Sequence, residues 1–335
     1  MTASRETQAW FSSAIAREGA QREMTLDGTR IAYQSWGSEG LPLVVLVHGY
    51  AAHSRWWDFI APWLADDWHV VALDLAGAGD SDHREHYSSQ SFASEILAVA
   101  RIEARGAFRP IVVGHSFGGA MARVAAFRSG DEADARSHLA GLVLVDSIIS
   151  SQGARPPPPM PRSRTRYYSA VDDAIRRFRL RPPQPISHPF IIEYIARHSV
   201  RMTDEGAVFK ADQTMFARMR DDLSLPDAVT MIRRLTCPVR LVYGENSRFF
   251  QADRLPAIKA LLAEQDRATI HAGTTARTIS VPDACHHVFL DQPIAFVQAL
   301  RGVLSSLREE TPIQSAHRPN ESGQISPSNA AIRTE

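Results

Sequence analysis

The sequence predicts an α/β fold with a mainly parallel sheet, because short apolar runs alternate with helix-like stretches along most of the chain. The helix-like stretches include Phe92–Arg105 and Gly118–Arg128. The apolar runs carry Val, Leu and Ile on both faces, as the buried strands of parallel sheets do. Bounded by Gly, Asp or Pro, these runs are Leu43–Val47, His69–Leu73, Ile111–Val113, Gly141–Val145, Val239–Tyr243 and Ala276–Val281.

The sheet is expected to begin with an antiparallel hairpin. Two strand-like runs, near Arg22–Leu26 and Arg30–Trp36, are separated by the dipeptide Asp27-Gly28. This dipeptide favours a tight two-residue turn, and such a turn joins antiparallel strands. The first two strands are therefore predicted to run in opposite directions.

The alternation of strands and helices stops between about 147 and 234, which predicts an inserted segment. The segment is rich in proline and contains helix-like pieces such as Ala170–Arg179 and Phe190–Arg201, but no convincing strand. After about Arg308 the chain is rich in Ser, Pro, Asn and Gln, which predicts disorder. The predicted organisation is an N-terminal extension (1–21), a core (22–146 and 235–307), a helical cap (147–234) and a disordered tail (308–335).

Composition argues against several classes of function. The 37 Lys and Arg residues balance 37 Asp and Glu residues, so no net charge attracts nucleic acid or an acidic membrane. The only two cysteines, Cys237 and Cys285, do not have metal-site spacing. No apolar run approaches the about 18 residues that span a bilayer, and the N-terminus does not have the apolar core of a secretory signal. We expect a soluble cytoplasmic protein.

A candidate nucleophile lies in the segment Gly114-His115-Ser116-Phe117-Gly118. The pattern Gly-x-Ser-x-Gly follows a predicted strand and precedes a predicted helix, which is the context in which it forms a sharp turn. The strained turn lifts the serine hydroxyl clear of the sheet, and the N-terminus of the following helix faces developing negative charge. Ser116 is therefore predicted to act as a nucleophile.

With these residues identified, the chain resembles the α/β-hydrolase superfamily from about Arg22 to Leu307. Four motifs carry the resemblance, and they occur in the family's order. They are Val47-His48-Gly49-Tyr50, the segment Asp74-Leu75-Ala76-Gly77-Ala78-Gly79-Asp80-Ser81, the Ser116 turn, and Pro282-Asp283-Ala284-Cys285-His286-His287 followed by Leu290-Asp291-Gln292-Pro293. The resemblance implies an eight-stranded type of sheet flanked by helices, with the insertion as the family's cap.

A serine nucleophile needs an imidazole to accept its proton, and the chain has 13 histidines. His286 and His287 follow the last predicted strand, at the sheet edge where sites on open parallel sheets form. The resemblance places the catalytic base at His286 and makes His287 its neighbour and the alternative. For His48 and His115, a structural role is favoured.

The position of the acidic residue departs from the family pattern. The usual aspartate follows the strand after the cap, but the loop here reads Gly244-Glu245-Asn246-Ser247 and has serine at that position. Two carboxylates remain as candidates. Asp146 ends the strand before the cap. The arrangement resembles that of some haloalkane dehalogenases and a zearalenone lactonase type, in which the acid lies at the end of that strand. Glu245 is the alternative acid.

The resemblance also implies an oxyanion hole formed by the backbone N–H groups of Tyr50 and Phe117. It implies no metal and no organic cofactor. The leading hypothesis is hydrolysis of a carboxylic ester or lactone through an acyl-enzyme. The alternatives are hydrolysis of a carbon–carbon bond in dienoic diketones and non-catalytic binding of a small ligand. Epoxide hydrolysis and dehalogenation require an aspartate where this chain has Ser116.

Overall fold

The computed structural model describes residues 2–104, 108–130, 138–150, 165–220, 225–268 and 276–310. Its centre is an eight-stranded sheet, which confirms the predicted fold class. In chain order the strands of this sheet are β1 (Ala20–Leu26), β2 (Thr29–Trp36), β3 (Leu43–Val47), β4 (His69–Leu73), β5 (Ile111–His115), β6 (Gly141–Val145), β9 (Val239–Gly244) and β10 (Thr278–Val281). Strands β7 and β8 lie outside this sheet and are described with the insertion.

The spatial order of the sheet is β1-β2-β4-β3-β5-β6-β9-β10. The strands β1 and β2 pair antiparallel, as predicted, and Asp27 and Gly28 form the turn with φ angles of 50° and 75°. The strands β2 and β4 also pair antiparallel, whereas every later pairing is parallel. The carboxyl ends of β3, β5, β6, β9 and β10 therefore meet at one edge.

Helices cover both faces of the sheet. The helices of the described residues, including those of the insertion, are α1 (Thr2–Ile15), α2 (Ser89–Glu103), α3 (Phe117–Gly130), α4 (Val171–Ile175), α5 (Pro189–His198), α6 (Ala228–Arg234), α7 (Leu255–Ala268), α8 (Val288–Asp291) and α9 (Pro293–Glu310). Side chains alternate across the sheet, so β3 directs Val45 to one apolar core and Val44 to the other. The first core contains residues of α2, α3, α6 and α7, and the second contains residues of α9.

The insertion contains α4, α5, α6 and a 3-10 helix at Met215–Arg218. Contrary to the prediction of no strand there, it also contains a two-stranded antiparallel sheet of β7 (Val200–Thr203) and β8 (Gly206–Phe209). These strands have four residues each and are partly exposed, so they do not carry the continuous apolar pattern that identifies the central strands. The predicted proline-rich part at 156–159 lies outside the described residues.

The N-terminal extension forms α1, which contacts both the core and the insertion. The ring centroid of Phe11 lies 5.6 Å from that of Phe59 in the core, and 5.3 and 5.5 Å from those of Phe190 and Tyr194 in α5. At the other end, α9 continues to Glu310, two residues beyond the predicted start of the tail. Residues 311–335 lie outside the described part of the chain. In the parts that are described, no helix combines the length and apolarity needed to cross a bilayer.

Candidate active site

Three of the predicted site residues meet at the carboxyl edge of the sheet. Ser116 follows β5, Asp146 follows β6, and His286 lies in the loop after β10. Because β5 and β6 are parallel neighbours in register, with His115 opposite Val145, the residues after them leave the sheet side by side. The strand β9 then places the loop after β10 within reach of both.

Ser116 lies at the sharp turn that the sequence predicts. Its φ angle is +53°, a left-handed conformation that costs a non-glycine residue about 1–3 kcal/mol. The turn is tight because glycines flank it. A Cβ atom on Gly114 would lie 2.6 Å from the carbonyl oxygen of Gly118, and one on Gly118 would lie 2.2 Å from the carbonyl oxygen of His48. Only hydrogen at Gly114 lets the turn close, and only hydrogen at Gly118 lets the loop after β3 pack against it.

The side chains form a continuous chain of hydrogen bonds. The Ser116 Oγ atom lies 2.9 Å from His286 Nε2, and His286 Nδ1 lies 2.7 Å from Asp146 Oδ1. A carboxylate only accepts hydrogen bonds, so Nδ1 carries a proton and, in the neutral ring, Nε2 presents a lone pair to the serine hydroxyl. This is the arrangement in which imidazole can accept a proton from serine.

Asp146 is fully buried and has three hydrogen-bond donors around it. Besides His286, Ser247 Oγ donates to Oδ1 at 2.8 Å and the Gly244 amide donates to Oδ2 at 3.0 Å. Ser247, which occupies the family's usual aspartate position, therefore contacts the relocated carboxylate. The rival Glu245 is exposed, and its Oε2 atom accepts a bond from the Asp283 amide at 3.3 Å instead. The structure thus brings Asp146, and not Glu245, to the imidazole.

Two further histidines surround His286. His115 Nε2 lies 3.1 Å from the backbone oxygen of His286, and the ring centroid of His287 lies 4.9 Å from that of His286. Burial lowers the pKa of His115 well below its usual value and lowers the pKa of His287 to about 3. Both rings are therefore neutral near pH 7. His287, the alternative base, bonds through Nε2 to the backbone oxygen of Pro182.

The residues predicted to form an oxyanion hole lie beside Ser116. The loop after β3 approaches closely, because a Cβ atom on Gly49 would lie 3.4 Å from the Cβ atom of Ser116. Phe117 is the first residue of α3, so its amide has no intrahelical acceptor. Within the described residues, neither this amide nor that of Tyr50 donates to another backbone group.

A small cavity opens next to these two amides. Its lining is mainly apolar and comes from the loops after β3 and β4, from α3 and from the insertion. The lining residues are His48, Gly49, Tyr50, Ala51, Leu75, Ala76, Gly77, Ala78, Phe117, Ala211, Asp212 and Met215. The ring of Phe216 in the insertion packs against Tyr50 at a centroid distance of 4.4 Å. The insertion therefore covers this side of the site, as a cap would.

The insertion is also bonded to the loop that carries His286. Asp291 accepts hydrogen bonds from Gln184 Nε2 at 2.9 Å, from Ser187 Oγ at 3.0 Å and from the Cys285 amide at 2.8 Å. Gln184 also accepts a bond from the His287 amide at 2.9 Å. The Gln184 side chain thus contacts one neighbour of His286 directly and the other through Asp291. In the sequence, Asp291 was recognised only as part of a motif, and Gln184 was not identified as a site residue.

With this geometry established, the chain can be placed among known proteins. It has the sheet topology of α/β hydrolases, with a serine, a histidine and an aspartate in hydrogen-bond contact at the carboxyl edge of the sheet. Residues 44–299 match the model of the alpha/beta hydrolase family, so the chain belongs to that family.

Relatives among curated proteins match a limited part of the chain. Epoxide hydrolase 4 from Homo sapiens is 31% identical over 98 residues, which are 28% of this chain and 26% of that protein. A serine hydrolase-like protein from Danio rerio is 33% identical over 113 residues, which are 33% of this chain and 34% of that protein. The chain thus aligns with about a quarter to a third of the length of these relatives.

Solved structures match nearly the whole fold. The thioesterase domain from a curacin biosynthetic pathway superimposes with a TM-score of 0.65 at 21% identity, over 85% of this chain and 99% of that one. The E-2-(acetamidomethylene)succinate hydrolase superimposes with a TM-score of 0.63 at 21% identity, over 86% of this chain and all of that one. At this level of identity, the similarity establishes the fold alone.

Proposed function

We propose that this protein is a serine hydrolase that cleaves a carboxylic ester or lactone through an acyl-enzyme. The observation that carries the proposal is the hydrogen-bond chain from Ser116 through His286 to Asp146, with distances of 2.9 and 2.7 Å. A serine hydroxyl is a weak nucleophile unless a positioned base accepts its proton. The geometry supplies that base and a buried carboxylate behind it.

In the first half-reaction, Ser116 Oγ attacks the carbonyl carbon while its proton moves to His286 Nε2. The imidazolium that forms is stabilised by Asp146. This carboxylate stays ionised throughout and holds the ring in the required tautomer. The tetrahedral intermediate then collapses, the carbon–oxygen bond to the leaving group breaks, and the Nε2 proton passes to the departing oxygen. For a lactone, the leaving oxygen stays attached to the acyl group.

In the second half-reaction, water attacks the acyl-enzyme with His286 as the base. Its proton returns through Nε2 to Ser116 Oγ, and the carboxylic acid leaves. In both halves, the amides of Tyr50 and Phe117 are proposed to donate to the oxyanion, each contributing about 3 kcal/mol to transition-state stability. The apolar cavity beside these amides fits an apolar part of the substrate.

Epoxide hydrolysis is not favoured, although epoxide hydrolase 4 is among the relatives. Epoxide opening through this fold uses an aspartate as nucleophile, and this chain has a serine at that position, with φ +53° and an imidazole 2.9 Å away. That relative aligns over only 26% of its own length. A serine hydroxyl that loses its proton to a neighbouring general base is a nucleophile suited to acyl transfer.

The proposal is tested with a panel of p-nitrophenyl esters, lactones and a dienoic diketone, scored by kcat/KM, together with labelling by a fluorophosphonate probe. We expect ester or lactone hydrolysis, and labelling that Ser116→Ala abolishes and the control variant Ser169→Ala, on the exposed surface, retains. Absence of labelling in the wild type would instead favour a ligand-binding protein. Cleavage of the diketone without esterase activity would assign carbon–carbon hydrolysis.

A further inference from the structure

Three imidazole rings form a compact buried cluster around the proposed catalytic base. The ring centroids of His115 and His286 are 4.9 Å apart, those of His286 and His287 are 4.9 Å apart, and those of His115 and His287 are 5.4 Å apart. One ring nitrogen from each lies within 4.8 Å of a ring nitrogen of each of the others. All three side chains are at most 4% exposed.

The hydrogen bonds of the cluster fix where the protons lie. The Nε2 atom of His115 faces the backbone oxygen of His286 at 3.1 Å, and that of His287 faces the backbone oxygen of Pro182 at 3.2 Å. Because a carbonyl oxygen only accepts, each Nε2 must carry the hydrogen, which leaves Nδ1 with a lone pair in the neutral ring. Both of these Nδ1 atoms are buried and have no hydrogen-bond partner among the described residues.

His286 has the opposite tautomer and the same consequence. Its Nδ1–H donates to Asp146 at 2.7 Å, so the lone pair lies on Nε2. The cluster therefore offers three imidazole lone pairs, and each ring donates its other N–H to a carbonyl or a carboxylate. Histidines that bind metal ions are held in this way, since the outer acceptor fixes the tautomer and orients the ring.

The spacing also suits a transition-metal ion. Imidazoles bound to tetrahedral zinc through bonds of about 2.0–2.1 Å have ring centres about 5 Å apart and ligand nitrogens about 3.4 Å apart. The observed ring centres, 4.9–5.4 Å apart, match this spacing, and because one nitrogen of each ring lies within 4.8 Å of the others, a bound ion would have to draw the nitrogens together by up to about 1.4 Å. We propose that His115, His286 and His287 form an inhibitory binding site for a divalent transition-metal ion of the zinc class.

Inhibition follows from the ligand that His286 would supply. An ion bound to Nε2 occupies the lone pair that has to accept the Ser116 proton, so Ser116 Oγ keeps its hydrogen and stays a poor nucleophile. The coordination is reversible, and no covalent bond of the protein is formed or broken. Metal binding itself is independent of the hydrolase assignment, whereas inhibition rests on the proposed function.

The first test measures binding directly on the metal-free full-length protein. Co²⁺ is titrated with detection of its visible absorption, and Zn²⁺ is titrated by calorimetry. We expect about one equivalent to bind the wild type with the absorption of a tetrahedral site. His115→Gln and His287→Gln should each weaken the affinity by at least about tenfold. Removing the hydrogen-bond partner of a metal ligand already lowers metal affinity about 10–100-fold, and removing the ligand itself should lower it at least as much. The exposed His86→Gln is the matched control and should bind like the wild type.

The second test follows the function of the same site. Zn²⁺ should slow both ester hydrolysis and fluorophosphonate labelling of Ser116 in the wild type, and a chelator should restore both. The measurement on the wild type does not depend on how well a variant folds. The proposal is overturned if Co²⁺ and Zn²⁺ do not bind, which is the result expected if a water molecule occupies the two Nδ1 lone pairs. It is also overturned if His115→Gln and His287→Gln bind the ions as tightly as His86→Gln. Co²⁺ binding that depends on His115 and His287, in a protein without esterase activity, would refute the proposed function but still support the metal site.

Discussion

Two buried carboxylates flank the loop that carries His286, and they differ in what they hold. The side chain of Asp146 is fully buried and that of Asp291 is 4% exposed, and each accepts three hydrogen bonds. The donors to Asp146 are the imidazole of His286, the hydroxyl of Ser247 and the amide of Gly244. All three belong to the core, so Asp146 is fixed to the edge of the sheet.

The donors to Asp291 come from two parts of the chain. One is the backbone amide of Cys285, whereas the other two are the side chains of Gln184 and Ser187 in the insertion. Burial raises the pKa of this carboxyl above its ordinary value. Asp146 thus contacts the imidazole itself, whereas Asp291 joins the backbone of the same loop to the insertion.

The largest effect is expected for the carboxylate that contacts the ring. Asp146→Asn should lower kcat about 10³–10⁴-fold, because an amide neither stabilises the imidazolium nor fixes the productive tautomer. The matched control is Glu245→Gln, a change of the exposed rival carboxylate in the adjoining loop, which should leave kcat nearly unchanged. Steady-state kinetics on the best ester of the panel measure both. A larger loss in Glu245→Gln than in Asp146→Asn would assign the acid to Glu245.

A smaller effect is expected for Ser247, which donates to the Asp146 oxygen that also accepts the imidazole proton. Removing a hydrogen bond to a charged group costs about 1.5–3 kcal/mol, part of which appears in the transition state. Ser247→Ala should therefore lower kcat about tenfold with little change in KM. Ser169→Ala, on the exposed surface of the insertion, serves as its control. An unchanged kcat would mean that this donor does not support the carboxylate.

The sheet and the three residues at its edge were predictable because local patterns encode them. The apolar runs identify the strands, and the glycines around Ser116 are required by contacts as short as 2.2 Å. The resemblance then selected His286 and left Asp146 and Glu245 as candidates for the acid, of which the structure brings Asp146 to the ring. The role of Ser247 was not predictable. The sequence shows that position 247 is not an acid, but it does not show that the Ser247 hydroxyl donates to the carboxylate of Asp146.

The contacts of the cap were not predictable for a different reason. Gln184 and Asp291 are 107 positions apart, and no periodicity or turn chemistry relates two such positions. The hairpin of β7 and β8 was missed because short, partly exposed strands have no distinctive pattern. Local signals reach over a few residues, whereas the packing of the insertion on the core depends on pairings that only the folded chain creates.

A further loss of turnover is expected when the side chain of Gln184 is removed. Gln184→Ala removes the donor to Asp291 and the acceptor of the His287 amide. Two hydrogen bonds of about 1 kcal/mol each then no longer position the loop, so we expect kcat to fall about three- to tenfold. Gln213→Ala makes the same change elsewhere in the insertion, where, among the described residues, the amide donates to the local Ala211 oxygen. Equal losses in both variants would indicate a general effect on the cap and not a contact with the catalytic loop.

The smallest effect on turnover is expected at a third buried carboxylate, Asp58, which joins the cap to the core. It accepts hydrogen bonds of 2.6 Å from Gln34 in β2 and of 2.6 Å from Tyr194 in α5. Burial raises its pKa from 3.8 to about 6, against the opposing effects of Tyr194 and Arg55. Asp58 thus joins the insertion to the core without contacting Ser116, His286 or Asp146, so its substitution should change stability more than turnover.

The sign of that signature follows from proton linkage. Because the folded state binds the Asp58 proton more tightly than the unfolded state, ionisation of Asp58 lowers the free energy of unfolding as pH rises from about 4 to about 6. Asp58→Asn removes this titration, while all other groups titrate alike in both proteins. Its free energy of unfolding, relative to the wild type, should therefore rise by up to about 3 kcal/mol between pH 4 and pH 7. Urea unfolding at several pH values measures the difference, with the exposed Asp66→Asn as the control. A difference that does not vary with pH would show that Asp58 ionises in the folded protein as readily as in the unfolded chain, and the polar contacts to Gln34, Arg55 and Tyr194 would then offset its burial completely.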